Sequence, residues 1–412
     1  MDEMINKPDN LANSPFRGVG GTAKRLEGIG EYYFSQKLRE IEELNKQGKN
    51  IINLGIGSPD LPPHPEVIKV LQEESAKPNV HGYQSYKGSP IFRNAIADWY
   101  KKWYNVSLDA NKEVLPLMGS KEGIMHICMT YLEEGTFALV PNPGYPTYSS
   151  NVSLTEATII PYSLKEENNY YPDFNELEKA IITFRSGSPL QGVRGLMFVN
   201  YPQMPTGQEA TVELFEKLIA FARKNNILIV HDNPYSFILN DTPKSILSVE
   251  GALDVAIELN SLSKSHNMAG WRLGMLLAKE ERINQILRFK SNMDSGMFLP
   301  LQLAGAKALT LDKDFHDSVN KIYGERRAKV YELLDLLECT YSKEQVGLFM
   351  WAKIPTKYKD GYELADKVLY ESNVFITPGG IFGSEGNGYI RVSLCGSTQR
   401  FDEAISRLNR DL

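Results

Sequence analysis

The run Ser261-Leu262-Ser263-Lys264-Ser265-His266-Asn267-Met268-Ala269-Gly270-Trp271-Arg272-Leu273-Gly274 holds the densest chemistry in the chain. It follows Val255-Ala256-Ile257-Glu258-Leu259, an apolar stretch that reads as a strand. A lysine amine held in a closed polar pocket can form a Schiff base with an aldehyde cofactor. The hydroxyls of Ser261 and Ser263 and the guanidinium of Arg272 suit a phosphate on that cofactor. A lysine and an arginine flanking a surface loop are the commoner arrangement, but the hydroxyl- and glycine-rich surroundings of Lys264 argue against it.

Working outward, Phe137–Val140, Gly195–Val199 and Ile227–Val230 are short, continuous apolar runs, the pattern of strands buried on both faces. Between the last two, Phe215, Leu218, Ile219 and Ala222 fall on one face of a helix. Strand, helix, strand in that order predicts an α/β fold with a parallel or mixed sheet covered by helices. Ligands in such sheets gather beyond the carboxyl ends of the strands. Residues 1–30 are polar and glycine-rich and read as an N-terminal arm. Residues 61–299 read as a large cofactor-binding domain. Residues 31–60 and 300–412 read as a smaller α+β domain, with a long helix from about Lys313 to Leu337 and short strands at Phe349–Ala352, Val374–Ile376 and Tyr389–Val392.

Three further pieces follow strands. Asp232 closes Ile227–Val230, and Tyr235 comes three residues later; a carboxylate there could keep a ring nitrogen protonated, although a strand-end Asp is often only a turn or cap residue. Gly119-Ser120-Lys121-Glu122-Gly123 opens a helix whose backbone N–H groups could meet a phosphate. Tyr145, in Pro141-Asn142-Pro143-Gly144-Tyr145, offers a ring that could stack on a planar group or simply pack in a turn.

In this order these pieces resemble the pyridoxal-phosphate-dependent aminotransferases of fold type I, class I and II, over nearly the whole chain. His81-Gly82-Tyr83 with Gly88, Pro205-Thr206-Gly207, and Arg391 within Tyr389-Ile390-Arg391-Val392-Ser393 extend the match. The wording of Gly119–Gly123 and Ser261–Arg272 is similar to the branch holding alanine and LL-diaminopimelate aminotransferases. The resemblance implies pyridoxal 5′-phosphate as cofactor and a large domain with a mostly parallel sheet of the seven-stranded type. It implies that Lys264 binds the cofactor's aldehyde and moves the substrate proton. Asp232 would pair with the ring nitrogen, Tyr235 would reach the phenolic oxygen, and Tyr145 would stack on the ring. Gly119, Ser120, Lys121, Ser261, Ser263 and Arg272 would hold the phosphate, with Tyr83 reaching the phosphate of a neighbouring subunit in a homodimer. Arg391 would clamp the substrate α-carboxylate, with Gly57 letting backbone approach it.

One position departs from the family pattern. Met204 stands where these enzymes usually carry an Asn that donates to the phenolic oxygen, and a thioether cannot donate. Tyr235 then carries that contact alone, or Gln203 or Asn200 substitutes. The stretch Ser291–Phe298 carries an acid and no arginine, which disfavours a dedicated acidic substrate and favours a neutral or amino-bearing side chain. The reading is transamination between an L-amino acid and a 2-oxo acid such as pyruvate or 2-oxoglutarate. An elimination on the same cofactor, or a cofactor-binding regulator without turnover, are the alternatives.

The bulk numbers agree with a soluble enzyme. A net charge of −6 without long runs argues against nucleic-acid or membrane binding. No apolar run approaches the ~18 residues of a membrane span. The N-terminus has no signal-peptide pattern, so a cytoplasmic setting is expected. Cys128, Cys339 and Cys395 sit among apolar residues and read as reduced core thiols, with no metal site.

Overall fold

The computed structural model describes residues 23–26, 29–31, 33–187 and 195–411. Most of the expected arm, residues 1–30, lies outside them. In chain order the elements are α1 (Tyr33–Lys46), β1 (Ile52–Asn53), α2 (Pro65–Ser75), α3 (Pro90–Tyr104), β2 (Val114–Leu117), α4 (Ser120–Tyr131), β3 (Phe137–Asn142), α5 (Pro146–Ser153) and β4 (Thr158–Ser163). Then come α6 (Phe174–Gly187), β5 (Gly195–Asn200), α7 (Val212–Asn225), β6 (Ile227–Asp232), β7 (Ala256–Ser261), α8 (Leu262–Ser265), β8 (Gly274–Leu277), α9 (Glu280–Lys290) and α10 (Leu299–Leu309). The chain finishes with α11 (Lys313–Leu336), β9 (Phe349–Lys353), α12 (Gly361–Ser372), β10 (Val374–Phe375), β11 (Thr377–Pro378), β12 (Tyr389–Ser393) and α13 (Thr398–Asp411).

Seven strands form the central sheet in the order β2-β8-β7-β6-β5-β3-β4, parallel except for β8, which runs against both neighbours. Every residue of β5, β6 and β7 is buried, as their continuous apolar runs predict for strands covered on both faces. Alternate residues serve opposite layers: Ile229 and Ala256 join the layer of α3 and α7, whereas Leu228, Val230 and Ile257 join that of α4, α5 and α9. α7 starts where the Thr211 hydroxyl accepts from Leu214 N and stops at Asn226 in the left-handed region. It buries Phe215, Leu218, Ile219 and Ala222, the face expected from their spacing.

A second core gathers α1, α11, α12 and α13 around the antiparallel strands β11-β12-β9, with β1 paired to β10 beside them. The boundary between the two cores differs from the expected one at residue 300. Helix α10 belongs to the first core, where Ala304, Ala308 and Leu309 meet Phe92, Ile96 and Trp99. Pro300 opens this helix, and does not mark a domain break. The small residues of α10 permit the close approach: a Cβ on Gly305 would lie 3.0 Å from the Phe92 ring. Gln302 adds a polar tie, accepting from Ser89 N at 2.6 Å and donating to Met297 O at 2.7 Å.

Cys128, Cys339 and Cys395 are free and buried, as expected. No described helix is long and apolar enough to cross a membrane.

Candidate active site

A cavity of about 460 Å³ opens where the two cores meet. Asn200, Asp232 and Ser261, the last residues of β5, β6 and β7, reach it from one side. Phe349 and Arg391, from β9 and β12, reach it from the other. It thus lies beyond the carboxyl ends of the parallel strands, where this sheet class binds ligands.

Lys264 sits on the single turn of α8, and its Nζ donates to Gly57 O at 2.5 Å. Burial pushes its amine below the ordinary lysine value, and the Arg391 and Arg272 charges push the same way. Asp232 faces the cavity with Oδ2 accepting from the Tyr148 hydroxyl at 2.9 Å. Its Oδ1 is buried and makes no hydrogen bond of normal geometry among the described residues. Burial raises the carboxyl to about 6, against the opposing pull of Tyr148, His231 and the Ser120 hydroxyl. Tyr148 is itself fixed by stacking on Phe198, with ring centroids 4.9 Å apart, and by an edge contact with Tyr145 at 5.6 Å.

The start of α4 and the Arg272 loop are pressed together at the far end of the cavity. A Cβ on Gly274 would lie 2.8 Å from Gly119 C and Ser120 N, so only glycine admits this approach. Gly119 is at φ +85°, and a Cβ there would strike the Arg272 guanidinium. Arg272 donates to Ala269 O at 2.9 Å and toward Met118 O at 3.4 Å. The guanidinium and the first N–H groups of α4 therefore converge on one point, an anion-binding geometry.

Arg391 anchors the opposite wall. Its Nη2 donates to Gly55 O at 2.8 Å and its Nη1 to the Met204 thioether at 3.3 Å. The Phe349 and Phe382 ring centroids lie 3.8 and 4.6 Å from the guanidinium carbon, a cation–π setting that also shields it from water. Gly57 makes room for this, because a Cβ there would collide with Phe349. The loop carrying Gly55 and Gly57 is tied at its far end by Asp60, which receives both arms of Arg326 at 2.7 and 2.8 Å. Around Met204, the Gln203 amide is engaged at both ends, with Pro143 O and Thr206 N, and it does not line the cavity. Asn200 does line it, while donating to Asp232 O at 2.6 Å and accepting from Met204 N at 2.8 Å.

Of the residues singled out in the sequence, Gly57, Ser120, Lys121, Tyr145, Met204, Asp232, Tyr235, Ser261, Ser263, Lys264, Arg272 and Arg391 all line this one cavity. Gly119 caps α4 directly behind Ser120. Tyr83 does not join them: it is 94% exposed and lies outside the cavity of its own chain. Sequence reasoning missed Tyr148, whose position three residues after Tyr145 was a faint signal, and the wall formed by Phe34, Ile56, Phe349 and Phe382. The wall carries no signal, since its members come from distant segments and look like ordinary core residues.

This sheet, with a half-buried lysine and a carboxylate with one unpartnered oxygen at its strand ends, defines an enzyme of cofactor-assisted amino-group chemistry. Residues 49–408 match the family described as "Aminotransferase class I and II". The chain belongs to that family, whose members use pyridoxal 5′-phosphate. Among curated relatives it is similar to the LL-diaminopimelate aminotransferase of Halothermothrix orenii, 38% identical over 95% of this chain and 98% of that protein. The enzyme of the same name from Maridesulfovibrio salexigens is 40% identical over 94% of this chain and 98% of its own length. Among solved structures, substrate-bound BacF from Bacillus subtilis superposes with a TM-score of 0.88 at 34% identity, covering 95% of this chain and 98% of that one. The chain is an aminotransferase.

Proposed function

We propose that the cavity binds pyridoxal 5′-phosphate through Lys264 and Asp232 and transfers an amino group from LL-diaminopimelate to a 2-oxo acid such as 2-oxoglutarate or pyruvate. The observation that carries the cofactor reading is Asp232 Oδ1, a buried acceptor whose missing partner a protonated ring nitrogen would supply. The glycine-lined cradle of Gly119, Ser120 and Arg272, with Ser261 and Ser263 beside it, fits the phosphate. Tyr145 and Tyr235 line the space where a ring would lie. When bound, the cofactor supplies an electron sink for the negative charge that develops at the substrate Cα. Lys264 would hold the cofactor through its aldehyde, and its amine is placed to take and return the substrate Cα proton. Burial suits it to this by favouring the neutral amine. Arg391 receives the α-carboxylate in two parallel hydrogen bonds and so orients the Cα–H bond. The Phe349 and Phe382 rings exclude water there and strengthen that pair.

The donor assignment is supported by the shared name of the curated relatives. A neutral amino acid is the second reading, supported by the apolar wall of Phe34, Leu38, Ile56 and Phe349 beside Arg391. Exposed Tyr83 supports a homodimer in which it reaches the partner's phosphate. Three buried free thiols support a reducing, cytoplasmic setting. The deciding experiment adds single L-amino acids, LL-diaminopimelate among them, to the yellow holoenzyme without an acceptor. Bleaching by LL-diaminopimelate, reversed by a 2-oxo acid, is the expected result. Bleaching only by neutral amino acids would select the second donor. Ammonia release without bleaching would overturn transamination in favour of elimination, and no response at all would point to a regulator.

A further inference from the structure

Phe34, Leu38 and Ile41 stand at i, i+4 and i+7 of α1 and so share one apolar stripe. Phe34 and Ile41 are 8% and 6% exposed and pack into the second core, yet Leu38 between them is 43% exposed. The cavity explains the difference. Leu38 and Ser35 line it, so the middle of the stripe faces open space where its ends face protein. The flank of α1 fixes this roll: Lys37 pairs with Glu40 at 2.8 Å and faces Asp366 of α12 at 3.8 Å, and the Tyr370 hydroxyl of α12 donates to Glu40. The Phe34 ring centroid lies 5.6 Å from the Arg391 guanidinium carbon. The stripe therefore starts beside Arg391 and reaches Leu38 about 6 Å further along the helix. Half-buried Ile56 adds a second apolar group from the loop of Gly55 and Gly57. The charged residues of the lining are Lys121, Asp232, Lys264, Arg272 and Arg391, and none of them comes from α1 or that loop. A charge set against Phe34, Leu38 and Ile56 would lose water and gain no partner from them, whereas a methylene would gain by leaving water.

We propose that Phe34, Leu38 and Ile56 form the wall that selects the substrate side chain, and that the enzyme has a further activity, transamination of amino acids with long apolar side chains. The proposal rests on the reading of Lys264 as the cofactor lysine and of Arg391 as the α-carboxylate site. A side chain leaving a Cα anchored at Arg391 meets Phe34 first and Leu38 next. LL-diaminopimelate remains a donor, because its methylene linker meets the same wall. The exchange balances without an outside oxidant: the apolar amino acid gives up its amino group and leaves as the matching 2-oxo acid, and the acceptor 2-oxo acid becomes an amino acid.

Two series test the wall, one by reaction and one by binding. The first is the second-order rate at which alanine, 2-aminobutyrate, norvaline and norleucine bleach the yellow holoenzyme. It is expected to rise about fourfold with each methylene, equivalent to about 0.8 kcal/mol. The second is the calorimetric dissociation constant of butanoate, pentanoate and hexanoate, which carry the carboxylate and no amino group. It is expected to fall by the same factor of about four per methylene. A flat or reversed trend in either series would overturn the proposal. Leu38→Ser is expected to abolish the gain at the long end of both series, and Leu38→Met, which conserves volume and apolarity, to keep it. Leu38 is exposed, so neither change opens a cavity in the core. An undiminished gain in Leu38→Ser would overturn the assignment to α1. Failure of the cofactor reading looks different: no amino acid, LL-diaminopimelate included, would then bleach the protein. Bleaching by LL-diaminopimelate with a flat series would sink this inference alone.

Discussion

Asp232 is held by the fold, buried and unpaired at Oδ1, at a cost to the cofactor-free protein. Its carboxyl is raised from the usual 3.8 to about 6, so the folded protein holds the proton more tightly than the unfolded chain. The stability this lends is complete below the unfolded value and is lost as pH rises through about 6. Above that range the ionised group costs the cofactor-free protein about 3 kcal/mol. Asp232→Asn is therefore expected to stabilise the cofactor-free protein by about 1–3 kcal/mol at about pH 8 and by little at about pH 4. The same variant is expected to lose its hold on the cofactor. Urea melts at the two pH values check this; an equal gain at both would show that ionisation is not the cause. Lys264 stood out in the sequence because its neighbours are so specific, whereas Arg391 was marked only by the family resemblance. Tyr148, which holds Asp232 Oδ2, was not, since a tyrosine on a short helix gives no sign of where its hydroxyl ends.

The loop Gly55–Asp60 is the element that brings Arg391 and Lys264 together. Its carbonyls engage three side chains: Gly55 O receives Arg391 and Thr377 Oγ1, and Gly57 O receives Lys264. The two-armed Arg326–Asp60 pair pins its far end to α11. Arg326→Ala frees that end and is expected to raise KM for the amino donor about tenfold with a smaller change in kcat, because α-carboxylate binding suffers before proton transfer does. It is also expected to cost stability, since Arg326 is buried and donates to Leu394 O as well. Steady-state kinetics check it; an equal fall in kcat with unchanged KM would place the loop in the chemical step. The glycines of this loop were visible in the sequence, but their anchor was not: Asp60 and Arg326 are 266 residues apart.

At the scale of the whole molecule, the cavity exists only because two cores meet. One side carries the strand ends of the large sheet and the other carries Phe349 and Arg391. An exposed apolar surface lies outside its lining. Tyr83, Tyr86, Met293 and Phe298 are exposed, Phe298 stacks on His81, and the segments of Gly296 and Gln84 are in contact. Sedimentation equilibrium is expected to give twice the mass of one chain. Tyr83→Phe is expected to leave that mass unchanged and weaken cofactor binding about tenfold, the loss of one hydrogen bond to a charged group. A monomer that binds cofactor at full affinity would sink this reading.

The sequence by itself determined the alternating sheet and helix order, the distinctive surroundings of Lys264 and Asp232, and the departure at Met204. These are local: period, residue type and immediate neighbours carry them. The tertiary structure alone decided that α10 belongs to the first core, that Met204 accepts from Arg391 rather than standing idle, and that Gln203 is spent inside its own loop. It also placed His231 between a carboxylate and a carbonyl. Each of those outcomes is a contact between segments distant in the chain. Residue spacing says nothing about which buried polar atoms will find each other once water has been excluded.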